Sequence, residues 1–454
     1  MILREAIKEI RGLRYMVDKL NIQSGLGRQV LLDTPYIKEG AKIMAELEHI
    51  DFYVSMAKNP DNKPAIESLQ SKLARLKDIR GTIARLKNRQ TLDDVELFEV
   101  KSFALLSREI AEVYSLPDLS PVVTILDPDG TQIPHFYIYD SYSPELGQLR
   151  KQIKELKNRN ADQAKIDNLY EQSLVIEDNI RRGLAKHLNP FADKIGDALL
   201  ACAELDIRLA KAQQAVDMNL CKPQIRTESM AYRSLFNPEV DEALQLQGKR
   251  FQPVDITINA GVTLITGANM TGKSVVLKTV ALAQALFQFA FFVPASSAQL
   301  ACVDEVFFSI GDEQNELSGL SSYAAEMLYI HHILRELKNG TRALILIDEP
   351  ARTTNPEEGK AIVNALNHIL HQYKSFCLVT THYSGIITQG KKLRVKGLLE
   401  NDEQPQFNVQ NINEHIDYSL VEDNDSNVPR EAIRIARILG VDEELLDKAE
   451  GYLG

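Results

Sequence analysis

Gly267-Ala-Asn-Met-Thr-Gly-Lys-Ser274 fits the pattern G-x-x-x-x-G-K-[ST], and its flanks restrict what this chain can fold into. The residues before it, Val262-Thr-Leu-Ile-Thr266, read as a buried strand, and Val275 to Phe292 carry a long apolar helical pattern. Strand, loop, helix is the order in which a glycine-rich loop wraps phosphate groups. The loop's backbone N–H groups and the helix N-terminus then face the phosphates of a nucleotide. In that geometry Lys273 is expected against the β- and γ-phosphates, and the Ser274 hydroxyl is expected as a ligand for Mg²⁺.

Downstream, Ala343-Leu-Ile-Leu-Ile347 is a second apolar run and ends in Asp348-Glu349, the form a Walker B strand takes. Phosphoryl transfer needs little beyond positioning and charge stabilisation, so Asp348 is expected to hold Mg²⁺ through a water and Glu349 to polarise the attacking water. A third run, Ser375-Phe-Cys-Leu-Val-Thr380, leads into Thr381-His382-Tyr383. A histidine at the C-terminal end of a strand in an open parallel sheet lies on the ligand side of that sheet. Singly, these residues read as a solvated carboxylate pair and a surface histidine. Together and in this order they read as one nucleotide site.

From Gly267 through Tyr383 the sequence resembles the ATPase domain of the MutS family, and the likeness extends over roughly residues 225 to 454. Asn269-Met270 match the family's loop, while Ala268 stands where proline is usual and Thr271 where glycine is usual. Phe292-Val-Pro-Ala295 matches a segment that closes the helix after the loop. Ser318-Gly-Leu-Ser-Ser-Tyr-Ala-Ala-Glu-Met327 looks like the signature segment, and Asp348-Glu-Pro-Ala-Arg-Thr-Thr-Asn355 resembles Walker B and its loop, with Pro350-Ala351 replacing the more usual Ile-Gly. The resemblance implies that Ser321 contacts the nucleotide of the opposite subunit, that His382 senses the γ-phosphate, and that Phe251 stacks on adenine; a core phenylalanine is the plainer reading of Phe251. Candidate nucleotide contacts are thus Gly267, Asn269, Met270, Gly272, Lys273, Ser274, Phe251 and Ser321, with Ser274 and Asp348 for the metal and Lys273, Glu349 and His382 for catalysis.

The first half differs in kind. Ala6 to Leu20, Tyr36 to Met56 and Ala65 to Leu86 repeat apolar residues at helical spacing. Ser143-Pro144 reads as an N-cap with proline in the first turn, and the stripe that follows suits either a helical hairpin or one long helix weakened at Asn158 to Asp162. Val122 to Gly130 with Phe136 to Tyr139 looks like a β-hairpin around the turn signal Asp127-Pro-Asp-Gly130. Val428 to Gly440 and Asp442 to Tyr452 read as paired helices resembling the element with which MutS ATPase domains clasp each other. The expected fold is therefore multidomain α and α/β: a helical core or lever domain over 1–220, a P-loop NTPase domain of ABC/MutS type over 221–427, and a helical dimerisation hairpin over 428–454.

Composition bounds the rest. Of 454 residues, 44% are apolar, enough for two or three cores, and a net charge of −11 gives no global attraction for nucleic acid or an anionic membrane. Cys202, Cys221, Cys302 and Cys377 form no C-x-x-C pair and read as reduced, buried residues. With no signal-peptide pattern, and with the longest apolar stretch broken by Gln284, Gln288 and Pro294, a cytoplasmic protein without membrane contact is expected. The run from Lys72 to Arg89 is basic, but its cations fall on several helix faces and read as a solvated surface more readily than as a phosphate-binding strip.

By resemblance the chain is a dimeric motor, as a homodimer or with a related subunit, using ATP and Mg²⁺. The family association points to mismatched or branched DNA, although no counterpart is expected of the mismatch-reading domain or of a β-rich clamp between the levers. The alternative is an ATP-driven remodeller of a protein client, like the MutS-like proteins associated with reactivating a cobalamin-dependent lysine 5,6-aminomutase.

Overall fold

The computed structural model describes residues 1–133, 135–159, 163–268, 271–309, 322–398, 416–423 and 432–453. The chain divides into two compact units, one made of residues 1–20, 34–52 and 213–454, the other of 21–33 and 53–212.

The second unit is helical. Among the described residues no strand precedes Gln224. Pro144–Asn158 and Gln163–Leu188 form two helices packed on each other, which decides the sequence alternatives in favour of the hairpin. Ser143 caps the first through its hydroxyl, which accepts from Leu146 N, and Arg150 bridges the pair to Glu177 at 2.8 Å. The basic run is spent on local ion pairs: Arg75 with Glu109 at 2.6 Å, Arg80 with Asp78 at 2.7 Å, Arg85 with Glu96 at 3.1 Å and Lys87 with Asp193 at 2.6 Å. It is a paired helical surface and offers little free positive charge.

The expected hairpin at Val122 is not formed. Ser120–Leu126 is a helix instead, entered through a turn in which Asp118 Oδ1 accepts from Ser120 N at 2.9 Å, with Pro121 in the first turn. The β-branched run looked like a strand, yet Val122, Val123 and Leu126 sit at helical spacing and are buried. Only the turn survives: Gly130 N donates to Asp127 O at 3.0 Å. Asp127 then meets the fully buried Lys101 at 3.1 Å, and Lys101 also donates to the Tyr139 hydroxyl at 2.6 Å. Burial raises the Asp127 pKa, but the Gln132 N–H, the Lys101 ammonium and the Thr131 hydroxyl outweigh it and hold the group at about 2.

Breaking a buried pair leaves an uncompensated charge, so Lys101→Met should destabilise this unit by about 3–5 kcal/mol at neutral pH. Because the folded pKa of Asp127 lies below its unfolded one, its contribution is complete above the unfolded value and is lost as pH falls through about 2. Urea unfolding of wild type and variant should therefore show a gap that narrows over that acid range.

The first unit holds both sheets. Its strands are β1 (Gln224–Ile225), β2 (Ser229–Leu235), β3 (Val254–Asn259), β4 (Gly261–Thr266), β5 (Ser297–Leu300), β6 (Glu305–Ser309), β7 (Ala343–Ile347), β8 (Phe376–Thr381), β9 (Lys391–Leu398) and β10 (Ile416–Glu422). The smaller sheet has the order β1-β5-β2-β3 and the larger β10-β9-β4-β8-β7-β6, with β9, β4, β8, β7 and β6 parallel and β10 antiparallel. β4, β7 and β8 are buried at every position, as strands covered on both faces must be, and this is why they read as mostly apolar runs without alternation. Val262, Leu264, Ile345 and Val379 pack with Val363, Leu366 and Leu370 of the helix Pro356–His371 and with Ile330 and Ile333 of the helix Ser322–Lys338.

The helix after the loop is Lys273–Gln288, shorter than its apolar pattern. Ala290 turns to φ +53°, and Phe291 to Ala295 pack inside. Gln284 and Gln288, which interrupt the pattern, are fully buried. Gln284 Nε2 donates to Ala301 O at 2.9 Å, Gln288 Nε2 donates to Val303 O at 2.8 Å and Ile37 O at 2.9 Å, and the Tyr36 hydroxyl donates to Gln288 Oε1 at 2.8 Å. Among the described residues no helix is long and apolar enough to cross a membrane. All four cysteines are free; Cys202 and Cys377 are buried, while Cys221 and Cys302 are only partly so.

Near the C-terminus, helices Ala432–Ile438 and Glu443–Leu453 pack together through Arg437, which reaches Glu443 at 3.0 Å, Glu450 at 2.9 Å and Asp447 at 3.2 Å. Leu445 and Tyr452 of the second helix are exposed.

Candidate functional site

The parallel strands β4, β7 and β8 lie side by side, so their C-terminal ends open on one edge of the sheet. β4 delivers the loop. Gly267 adopts φ +152° and Gly272 φ +79°, both in backbone space that side chains avoid. A Cβ on Gly267 would stand 3.1 Å from Thr271 Oγ1, and one on Gly272 would stand 3.0 Å from the Tyr418 ring. Thr271 ties the loop down by donating to Ala268 O at 2.8 Å. Asn269 and Met270 lie outside the described residues. Lys273, the first residue of the helix, is 4% exposed, and its ammonium donates to Gly267 O at 2.9 Å and Ala268 O at 2.7 Å. The charge is thus held inside the loop, at a helix N-terminus, where backbone dipoles favour an anion.

β7 delivers the carboxylates. Ser274 Oγ donates to Asp348 Oδ2 at 2.5 Å, and the Thr380 hydroxyl holds the other Asp348 oxygen. The hydroxyl and carboxylate are hard oxygen donors close enough to share one small divalent cation. Among the described residues no group of three or more His, Cys, Asp or Glu side chains could hold a metal unaided.

Glu349 turns at φ +49°, its N–H donating to Thr380 O at 3.2 Å and to Thr380 Oγ1 at 3.0 Å. One carboxylate oxygen lies 3.2 Å from Lys273 Nζ and the other 3.2 Å from His382 Nδ1, which β8 brings in. The His382 contact, helped by the Lys273 charge, overcomes burial and holds Glu349 at about 2. Such a carboxylate stays ionised and is a weak proton acceptor, suited to aligning a water more than to stripping it.

Beside the loop is a cavity of about 670 Å³ lined by Phe251, Gln252, Val254, Gly272, Val276 and Tyr418 among others. Gln252 is fixed by three bonds: its Nε2 donates to Asp417 Oδ1 at 2.8 Å and Ser419 Oγ at 3.2 Å, and its Oε1 accepts from Tyr418 N at 3.0 Å. The cavity is mostly apolar, open to the loop, and of the size of a small-molecule site. Phe251 therefore lines a cavity and is not a closed core residue. Tyr418 was missed by sequence reasoning, since it sits on an edge strand far along the chain and only the pairing of β10 with β9 brings it over Gly272. Ser321 lies outside the described residues.

Residues 263–453 match the family model for MutS domain V. The chain therefore carries a MutS domain V. It is 31% identical over 279 residues to the "Endonuclease MutS2" of Caldicellulosiruptor saccharolyticus, covering 61% of this chain and 34% of that one. It is 26% identical over 473 residues to the "DNA mismatch repair protein MutS" of Clostridium kluyveri, covering 98% of this chain and 50% of the relative. With the MutS of Thermus thermophilus the identity is 30% over 234 residues, 52% of this chain and 28% of the other. The chain thus spans half or less of the length of these MutS and MutS2 relatives. The matched MutS domain V contains Lys273, Ser274, Asp348, Glu349 and His382, the side chains that the three strand ends bring together.

Proposed function

We propose that this MutS-family chain binds ATP with Mg²⁺ and hydrolyses it, and that it does so in the service of an action on DNA. The observation that carries the first part is the convergence of Lys273, the Ser274–Asp348 pair, Glu349 and His382 on one edge of a parallel sheet. Backbone N–H groups of the loop and the Lys273 ammonium would receive the phosphates, while the cavity walled by Phe251 and Tyr418 would take the base. Ser274 and Asp348 would hold Mg²⁺. The metal would supply charge neutralisation on the phosphate oxygens. Glu349 would align the attacking water, and His382 would stand at the γ-phosphate end.

The action on DNA rests on the relatives' names, a DNA mismatch repair protein and an endonuclease. On this reading residues 1–220 form the core or lever domain, 221–427 the motor and 428–454 a dimer-forming element, with a homodimer or a heterodimer of related subunits as the working unit. The exposed Leu445 and Tyr452 support a docking role for that last element.

Two experiments test these parts. Turnover is measured with and without homoduplex, mismatched and four-way-junction DNA, alongside gel-shift titration at two salt concentrations. DNA action predicts binding that weakens as salt rises and turnover that changes with DNA. Turnover indifferent to every DNA would oppose it. For the dimer, Ser321→Ala should lower turnover without emptying the site, and mixing it with a Lys273→Ala subunit should give activities that depend on the pairing. Strictly proportional activities would remove the shared-site reading.

A further inference from the structure

We propose that Glu326 and Tyr383 are positioning residues for Glu349, gripping the Ala351 peptide units from two sides so that a strained turn holds the carboxylate in place. The proposal rests on the ATP-hydrolysing reading of the site above.

The turn itself calls for such a grip. Glu349 and Ala351 both lie in left-handed backbone space, at φ +49° and +59°. Alanine there carries a steric cost that glycine, more usual at this position of the resembling motif, does not. Residues so held persist only where the surroundings over-determine them. Pro350 between them has no N–H, so the Ala351 N–H is the first donor after Glu349. It meets both carboxylate oxygens of Glu326, at 3.2 and 3.3 Å. On the other side the Tyr383 hydroxyl donates to Ala351 O at 2.9 Å. Ala351 is fully buried between them.

Each gripping residue is itself anchored. Glu326 stands on the helix Ser322–Lys338, whose Ile330, Ile333 and Leu337 belong to the core under the sheet. Burial pushes its carboxyl up, opposed by the Ala351 N–H and by Arg352. Tyr383 follows His382, and the two rings lie 4.5 Å apart. Gly359 of the helix Pro356–His371 makes room for the hydroxyl, since a Cβ there would stand 2.4 Å from it. The turn, the histidine and the carboxylate are therefore tied to one another, and the tie ends on Glu349, whose oxygens face Lys273 and His382. Neither Glu326 nor Tyr383 has a hydrogen bond to Lys273, Ser274 or Asp348 among those that hold the loop and the metal pair. Loss of the grip should therefore act on turnover and spare binding.

The test compares wild type, Glu326→Ala, Glu326→Gln and Tyr383→Phe by amide hydrogen exchange over 349–355, by affinity for a fluorescent ATP analogue, and by steady-state turnover. Glu326→Ala is expected to speed exchange of the Ala351 amide and to lower kcat about tenfold, with analogue affinity and KM within about twofold of wild type. Glu326→Gln keeps an acceptor oxygen and should recover most of the loss, which a role limited to charge would not give. Tyr383→Phe keeps the ring and should lower kcat in the same way. Unchanged exchange in Glu326→Ala overturns the grip. Faster exchange with unchanged kcat overturns the positioning role while leaving the ATPase reading intact. A wild-type protein that binds the analogue but releases no phosphate overturns that reading and the positioning role together, and the exchange result still decides the grip.

Discussion

Lys273→Ala is expected to weaken ATP binding by about 30-fold to several thousand-fold, the range set by losing about 2–5 kcal/mol with one partner of a buried, hydrogen-bonded charge contact. The ammonium is the buried cation of the loop, held by two carbonyls and set against Glu349 at 3.2 Å. Alanine at this first helical position is an excellent helix former, so the helix itself should survive. Its removal takes the Lys273 donor from Gly267 O, leaves Ala268 O with the Thr271 hydroxyl, and leaves Glu349 with His382 alone beside its oxygens. Titration with a fluorescent ATP analogue measures the effect, and a thermal unfolding curve shows that the loss is not general unfolding. Binding within a few-fold of wild type would mean that the loop does not receive phosphate through Lys273.

Glu349→Gln should separate binding from turnover. The amide has nearly the size of the carboxylate and can still meet Thr380 through its backbone N–H. It has lost the charge that lies between Lys273 and His382. Turnover is expected to fall by about 10²–10⁴, the usual range for removing a group that handles a reacting proton or water. ATP affinity should stay near wild type or rise, because a negative group beside incoming phosphate has gone. Phosphate release under saturating ATP, compared with analogue binding, reads both. Equal turnover by the two proteins would remove Glu349 from the reaction.

The chemistry-bearing positions were legible because each lies at the end of a strand whose sequence is local and unambiguous. Val262 to Thr266, Ala343 to Ile347 and Ser375 to Thr380 are mostly apolar, broken only by hydroxyl residues, and the structure makes them adjacent buried strands. Asp348, Glu349 and His382 follow directly, and Lys273 and Ser274 open the helix after the loop. The helices of the first half were legible as a stripe but not in their breaks. Leu3–Glu9 and Arg11–Asp18 are two helices where the pattern ran on as one, since Ile10 takes an extended conformation that no residue type announces.

Other features depend on partners far away in sequence. Nothing local in the sequence marks Lys101 as buried, and only the fold reveals Asp127 and Tyr139 around it. Val122 to Leu126 read as a strand because β-branched residues favour one, yet the preceding Ser120-Pro121 start and the position of Leu126 decide for a helix. Tyr418, the Gln252 bonds and the Glu326–Ala351 contact require the register of strands and helices that no local pattern gives. The left-handed Ala351 could have been suspected, since it replaces the glycine more usual in the resembling motif. The sequence supplied the substitution, and only the backbone shows its conformation.

Whether the three strand ends form an ATP-hydrolysing site is decided by phosphate release from ATP by the purified chain in Mg²⁺, run beside the same protein in excess chelator and beside Glu349→Gln. Release is expected to be steady, to stop in chelator and to fall at least about a hundredfold in the variant. No release from folded, analogue-binding protein, or release that persists equally in the variant, would contradict it.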